Sequence, residues 1–83
     1  MKPIQIEGVR ALVDAGAVKR VTLQASSDGL CVVLNSEFFV ANRERQVRHF
    51  RKADTCFTWL RDVGIGQIQH VDLSRWNTGQ QSL

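Results

Sequence analysis

The sequence predicts a single small α+β domain: a helix, a meander of three or four antiparallel strands, a second helix and a last strand. Both helices are expected on one face of the sheet. Three observations carry this. Two stretches, near Ile6 and near Cys56, repeat apolar residues at spacings of three and four. The residues between them alternate or run apolar in short pieces separated by turn-forming residues. The chain has 83 residues, which is one domain's worth.

The first helix is expected over Ile4 to Ala15. Ile6, Val9 and Val13 share a face with Leu12 beside them, Pro3 suits the N-terminal edge, and Gly16 suits the stop. Gly8 weakens the pattern by roughly 1 kcal/mol relative to Ala. Val18 to Ser26 is expected as a strand, with Val21, Leu23 and Ala25 alternating against Arg20, Thr22 and Gln24. Ser26-Ser27-Asp28-Gly29 is a turn signal, and Leu30 to Leu34 form a more fully apolar strand. After the Asn35-Ser36-Glu37 break comes a third strand, Phe38 to Asn42. Arg43 to Gln46 form a polar bend, and Val47 to Phe50 form a short fourth strand or continue the third.

The second helix is expected from Ala53 to Val63. Ala53, Cys56, Phe57, Leu60 and Val63 form its apolar face, Asp54 lies in the first turn, and Gly64 is the stop. The last strand, Gln67 to Leu73, carries Ile68, Val71 and Leu73. The domain is expected over residues 1–76, with a frayed polar tail over 77–83.

Composition narrows the function. Hydrophobic residues make up 43% and charged residues 23%, the proportions of a globular chain rather than a disordered one. A core this small is often supplemented by dimerisation. Cys31 and Cys56 are far apart and form no CxxC, so they read as reduced core residues. The N-terminus has no apolar signal-peptide region, and no apolar run reaches the ~20 residues that span a bilayer. A cytoplasmic protein with no membrane association is therefore expected.

No arrangement of residues points to catalysis or to a cofactor. The carboxylates are scattered over caps, turns and wet faces, with no close pair for acid–base work. Cys31, His49, Cys56 and His70 lack the close ligand pairs of structural zinc domains, so no metal is expected. No glycine-rich nucleotide loop is present.

The residues that stand out are Arg43, Arg45, Arg48, Arg51 and Lys52, set in ten positions and opposed there only by Glu44. Guanidinium forks match phosphate oxygens two bonds at a time. These residues are the candidate nucleic-acid contact. The same cations on an edge strand would also block edge-to-edge aggregation, and the sequence leaves both readings open. The aromatics Phe38, Phe39, Trp59 and Trp76 are the candidate interface. Phe38 and Phe39 face opposite ways on a strand, and each Trp reads either as a packing lid or as an interface anchor.

Several stretches resemble the small ParC-type partition-associated proteins of bacterial plasmids and integrative elements, which are unrelated to the topoisomerase subunit of that name. They are Val9-Arg10-Ala11-Leu12-Val13-Asp14-Ala15-Gly16-Ala17-Val18, Val47-Arg48-His49-Phe50-Arg51-Lys52-Ala53-Asp54-Thr55, Trp59-Leu60-Arg61-Asp62-Val63-Gly64-Ile65 and Val71-Asp72-Leu73. Lys52 stands where a small polar helix cap is more usual. The resemblance implies an accessory role in plasmid or mobile-element maintenance and brings no catalytic residues. The expected activity is binding, either to DNA or to a DNA-bound partner. The alternative is a protein-interaction module, a homodimer or an inhibitor of a host complex, with no nucleic-acid contact.

Overall fold

A computed structural model describes residues 1–76; the expected tail over 77–83 lies outside them. The elements in chain order are β1 (Lys2–Ile4), α1 (Ile6–Asp14), β2 (Val21–Ser26), β3 (Gly29–Leu34), β4 (Phe38–Val40), α2 (Ala53–Asp62) and β5 (His70–Arg75). The five strands form one mixed sheet in the order β1-β4-β3-β2-β5. The expected α+β class and its two helices are present. The expected all-antiparallel meander is corrected: only β2, β3 and β4 form one, while β1 pairs parallel to β4 and β5 parallel to β2.

The alternation in β2 and β3 gives the sheet two different faces. Val21, Leu23 and Ala25 pair with Leu34, Val32 and Leu30, so all six side chains share one face. Val40 and Phe38 of β4 extend it. That face, Val9 of α1, and Cys56, Trp59 and Leu60 of α2 join Val63 and Ile65 in a single core. Both helices therefore cover the same side of the sheet. The other side carries a cross-strand row, Pro3, Phe39, Val33, Thr22 and His70, that neither helix covers.

β1 has no counterpart in the sequence reading. Its residues were expected at the start of the helix, and Pro3 is its middle residue. A proline is tolerated there because β1 is an edge strand, where a missing N–H costs no ladder bond. Backbone bonds from the Lys2 amide to the Glu37 carbonyl (2.9 Å) and from the Ala41 amide to the Ile4 carbonyl (2.8 Å) seal it to β4. α1 consequently starts two residues later than expected.

The β3–β4 connection is a tight hairpin. Asn35 and Ser36 both take positive φ, 58° and 55°, the geometry that matches the twist of paired strands. The Asn35 side chain accepts from the Lys19 amide (2.7 Å) and the Arg20 amide (3.1 Å) and donates to the Ala17 carbonyl (2.9 Å). One amide group thus ties the α1–β2 connection to this turn.

α2 turns a different face to the core than its spacing suggested. Cys56, Trp59, Leu60 and Val63 are buried, whereas Ala53 and Phe57 are exposed. The stripe is rotated toward Trp59, because Phe50 supplies a ring for the indole to pack on at 5.6 Å. Lys52 is the residue before the helix and makes no side-chain cap bond.

Candidate nucleic-acid interface

The basic residues lie on the excursion from β4 to α2. Its first part is a three-residue hairpin loop. The Asn42 amide donates to the Gln46 carbonyl (2.9 Å), the Arg45 amide donates to the Asn42 carbonyl (3.0 Å), and Ala41 bridges Val47. The Asn42 side chain holds the loop from within, accepting from the amides of Glu44 (3.0 Å) and Gln46 (2.9 Å). Arg45 takes a φ of 64°, the left-handed position such loops usually give to glycine. Gln5, at the start of α1, donates through Nε2 to the carbonyls of Asn42 (3.1 Å) and Arg43 (3.2 Å). The loop is therefore fastened to the N-terminus of α1.

The second part crosses from β4 to β3. The expected fourth strand, Val47 to Phe50, is corrected here: it forms no ladder, only single bridges from Val47 to Ala41 and from Phe50 to Leu30. Phe50 and Leu30 exchange amide–carbonyl bonds of 2.7 and 2.8 Å. A Cβ built on Gly29 would sit 2.5 Å from the Phe50 carbonyl oxygen, and Gly29 has a φ of 121°. Only glycine fits this crossing without displacement of the backbone.

Arg48 is held by aromatic rings. Its guanidinium carbon lies 4.5 Å from the centre of Phe50 and 5.6 Å from that of Trp59. Arg48 and Phe50, two apart on an extended segment, share a side. Such stacking is worth roughly 0.5–2 kcal/mol and pre-orders the guanidinium. Trp59 is 8% exposed, and among the described residues its indole Nε1 has no hydrogen-bond partner. A buried donor left unpaired costs roughly 1–3 kcal/mol.

Arg43 and Arg48 line one open groove of about 610 Å³ with Gln5, Ile6, Glu7, Val40, Ala41, Asn42 and Trp59. The groove reaches the first residues of α1, and the first amides of a helix have no partner within it. They add the positive end of the helix dipole to the two guanidinium groups. Glu7, exposed in the first turn, opposes them. On its other side Arg48 borders a shallower hollow with Asp54 and Asp62. Arg45 is exposed at the loop tip, and Arg51 and Lys52 are exposed on the approach to α2. The structure thus joins Arg43 with Arg48 in one groove and sets the other three along the same excursion.

The four aromatics separate. Phe38 packs against the core, Phe39 lies half-buried on the uncovered sheet face, and Trp76 is exposed beyond β5. Trp59 is a wall of the core rather than an outward anchor, for the reason of helix rotation given above. The thiols also separate. Cys56 is buried under α2, and its pKa is pushed from 9.0 to about 11 by burial, then by the charge of Cys31 across the sheet, against the pull of Arg48. Cys31 faces the other side of the sheet, donates to Gln24 Oε1 at 3.7 Å, and is also raised by burial. Among the described residues no group of three His, Cys, Asp or Glu side chains is placed to hold a metal ion, and no helix is long and apolar enough to cross a membrane.

Gln5 and Phe50 were not singled out from the sequence. Phe50 was legible in principle from its two-residue spacing to Arg48. Gln5 was not, because its role depends on a loop 37 residues away. No family model, no curated protein and no solved structure matches the chain.

Proposed function

We propose that this chain is a non-enzymatic, cytoplasmic accessory protein of plasmid or mobile-element maintenance. It binds DNA, or a partner already on DNA, through Arg43, Arg45, Arg48, Arg51 and Lys52. The mobile-element part rests on the resemblance carried by the stretches from Val9 to Leu73. The binding part rests on one observation: Arg43 and Arg48 share a groove with Gln5, Ile6 and Glu7 at the start of α1.

The chemistry suits phosphate. A guanidinium held over Phe50 and Trp59 has lost freedom before any ligand arrives, so less entropy is lost on binding. The amides of a helix's first turn complement the same anion. Arg45 supports the reading independently. A non-glycine residue at positive φ carries a backbone cost, and an arginine kept there implies a use for its side chain.

The test is the affinity for a labelled duplex between about 50 and 200 mM salt, where a phosphate clamp gives a log–log slope of about −0.9 per contacted phosphate. Binding that weakens along such a slope supports the reading. No binding at the lowest salt removes it and leaves the alternative, a protein-interaction module, which the exposed apolar side chains near β5 favour.

A further inference from the structure

β5 is the second edge of the sheet, and it differs from the first. β1 is three residues long with a proline at its middle, a well-blunted edge. β5 has six residues and no proline. Val71 pairs with Leu23 and so lies on the helix-covered face, with Leu73 two residues on. Neither helix reaches them: Val71 is 57% and Leu73 60% exposed. Trp76, whose amide bonds the Leu73 carbonyl at 2.9 Å, is 50% exposed, and Phe57 of α2 is 46% exposed. A hollow of about 230 Å³, lined by Phe57, Leu60, Ile65 and Ile68, connects the helix to the approach of β5.

We propose that this α2–β5 edge is a two-fold interface with a second copy of the chain. The inference does not depend on nucleic-acid binding. Area is the first argument. Four large apolar side chains, each about half exposed, leave roughly 400 Å² of apolar surface in water, the size of the largest patch on a typical monomer, which is often a binding surface. Two copies would bury about 800 Å² of it, the apolar share expected of a specific interface of about 1,200–1,400 Å².

Charge is the second argument. Asp72 and Arg75 pair with Gln24 and Ser26, so both project on the uncovered sheet face. A two-fold axis that runs the two β5 edges antiparallel brings Asp72 of each copy toward Arg75 of the other. The patch then meets itself with opposite charges facing, as an isologous contact requires. The contact also ends itself. The Asp72 carboxylate takes the Ser74 amide (2.9 Å) and hydroxyl (2.7 Å), and the register to β2 shifts between Gln24 and Ser26. The kinked edge cannot offer a long ladder, so side chains rather than backbone hold the copies together.

Sedimentation equilibrium across concentrations tests this. The full chain is expected at twice its 9.4 kDa, with Leu73→Glu raising the dimer dissociation constant by on the order of 30-fold or more. The urea midpoint measured under monomeric conditions should not move, because Leu73 is exposed. Asp72→Arg is expected to weaken the dimer and the double exchange with Arg75→Asp to restore it. A monomer at about 1 mM, well above the range of specific dimers, overturns the proposal. So does a Leu73→Glu variant that associates as before, or a double exchange that fails to restore association.

Discussion

At the scale of single residues, Arg45 and Cys56 carry consequences that can be measured. Arg45 sits at a backbone position that glycine occupies at less cost. Arg45→Gly is therefore expected to leave stability unchanged or raise it by up to about 1 kcal/mol, while lowering the duplex-binding salt slope by about 0.9. Urea melts paired with salt titrations separate the two effects. A loss of stability would mean that the side chain serves the fold and not a ligand. Cys56 links stability to pH. Its folded pKa, about 11, lies above the ordinary 9.0, so the folded state holds the proton more tightly. The stabilisation is full below pH 9.0 and is lost as pH rises through about 11. Urea midpoints should fall over that window, and Cys56→Val should flatten the fall.

The sequence shows the single-residue picture unevenly. The arginines are conspicuous, and Arg48 with Phe50 follows from strand spacing. The exchange between Phe57 and Trp59 does not, because both lie near one stripe of α2 and only the tertiary partner Phe50 decides which turns inward.

At the scale of elements, the site depends on two tight connections. The hairpin at Asn42–Gln46 is held by one asparagine side chain and anchored to α1 by Gln5. The crossing at Phe50 is held by Gly29. Gly29→Ala is expected to cost roughly 1–3 kcal/mol, because the added Cβ must push the Phe50 carbonyl away from a left-handed position it can scarcely adopt. Amide exchange of Leu30 and Phe50 should accelerate together in this variant. Protection unchanged at both would show that the crossing does not rely on the close approach. Both helices, β2, β3 and the last strand were legible because each carries its own periodicity, and β4 because the Asn35-Ser36-Glu37 break delimits an apolar run. β1 was not, since three residues have no period and a proline imitates a helix start. The parallel pairing of β1 and β5 was likewise invisible: register between strands distant in sequence is settled by which core faces must coincide.

At the scale of the whole molecule, the sheet separates two surfaces of different character. The basic excursion leaves from β4, beside the β1 edge, and the apolar patch lies at the β5 edge, with β3 and β2 between. A dimer formed at β5 leaves both basic excursions uncovered. Two copies of a phosphate-binding surface on one two-fold body would bind a duplex with an effective concentration that neither copy has alone. One core under a single sheet face holds both helices, so α1 at the groove and α2 at the patch are anchored by the same buried residues.

The cations between β4 and α2 are proposed to meet phosphate. The most direct measurement compares the salt dependence of duplex binding for the unaltered chain and for the double variant Arg43→Gln, Arg48→Gln. If each guanidinium neutralises one phosphate, the slope should become shallower by about 1.8, with weakening similar on unrelated duplex sequences. Equal slopes for the two proteins would contradict the account.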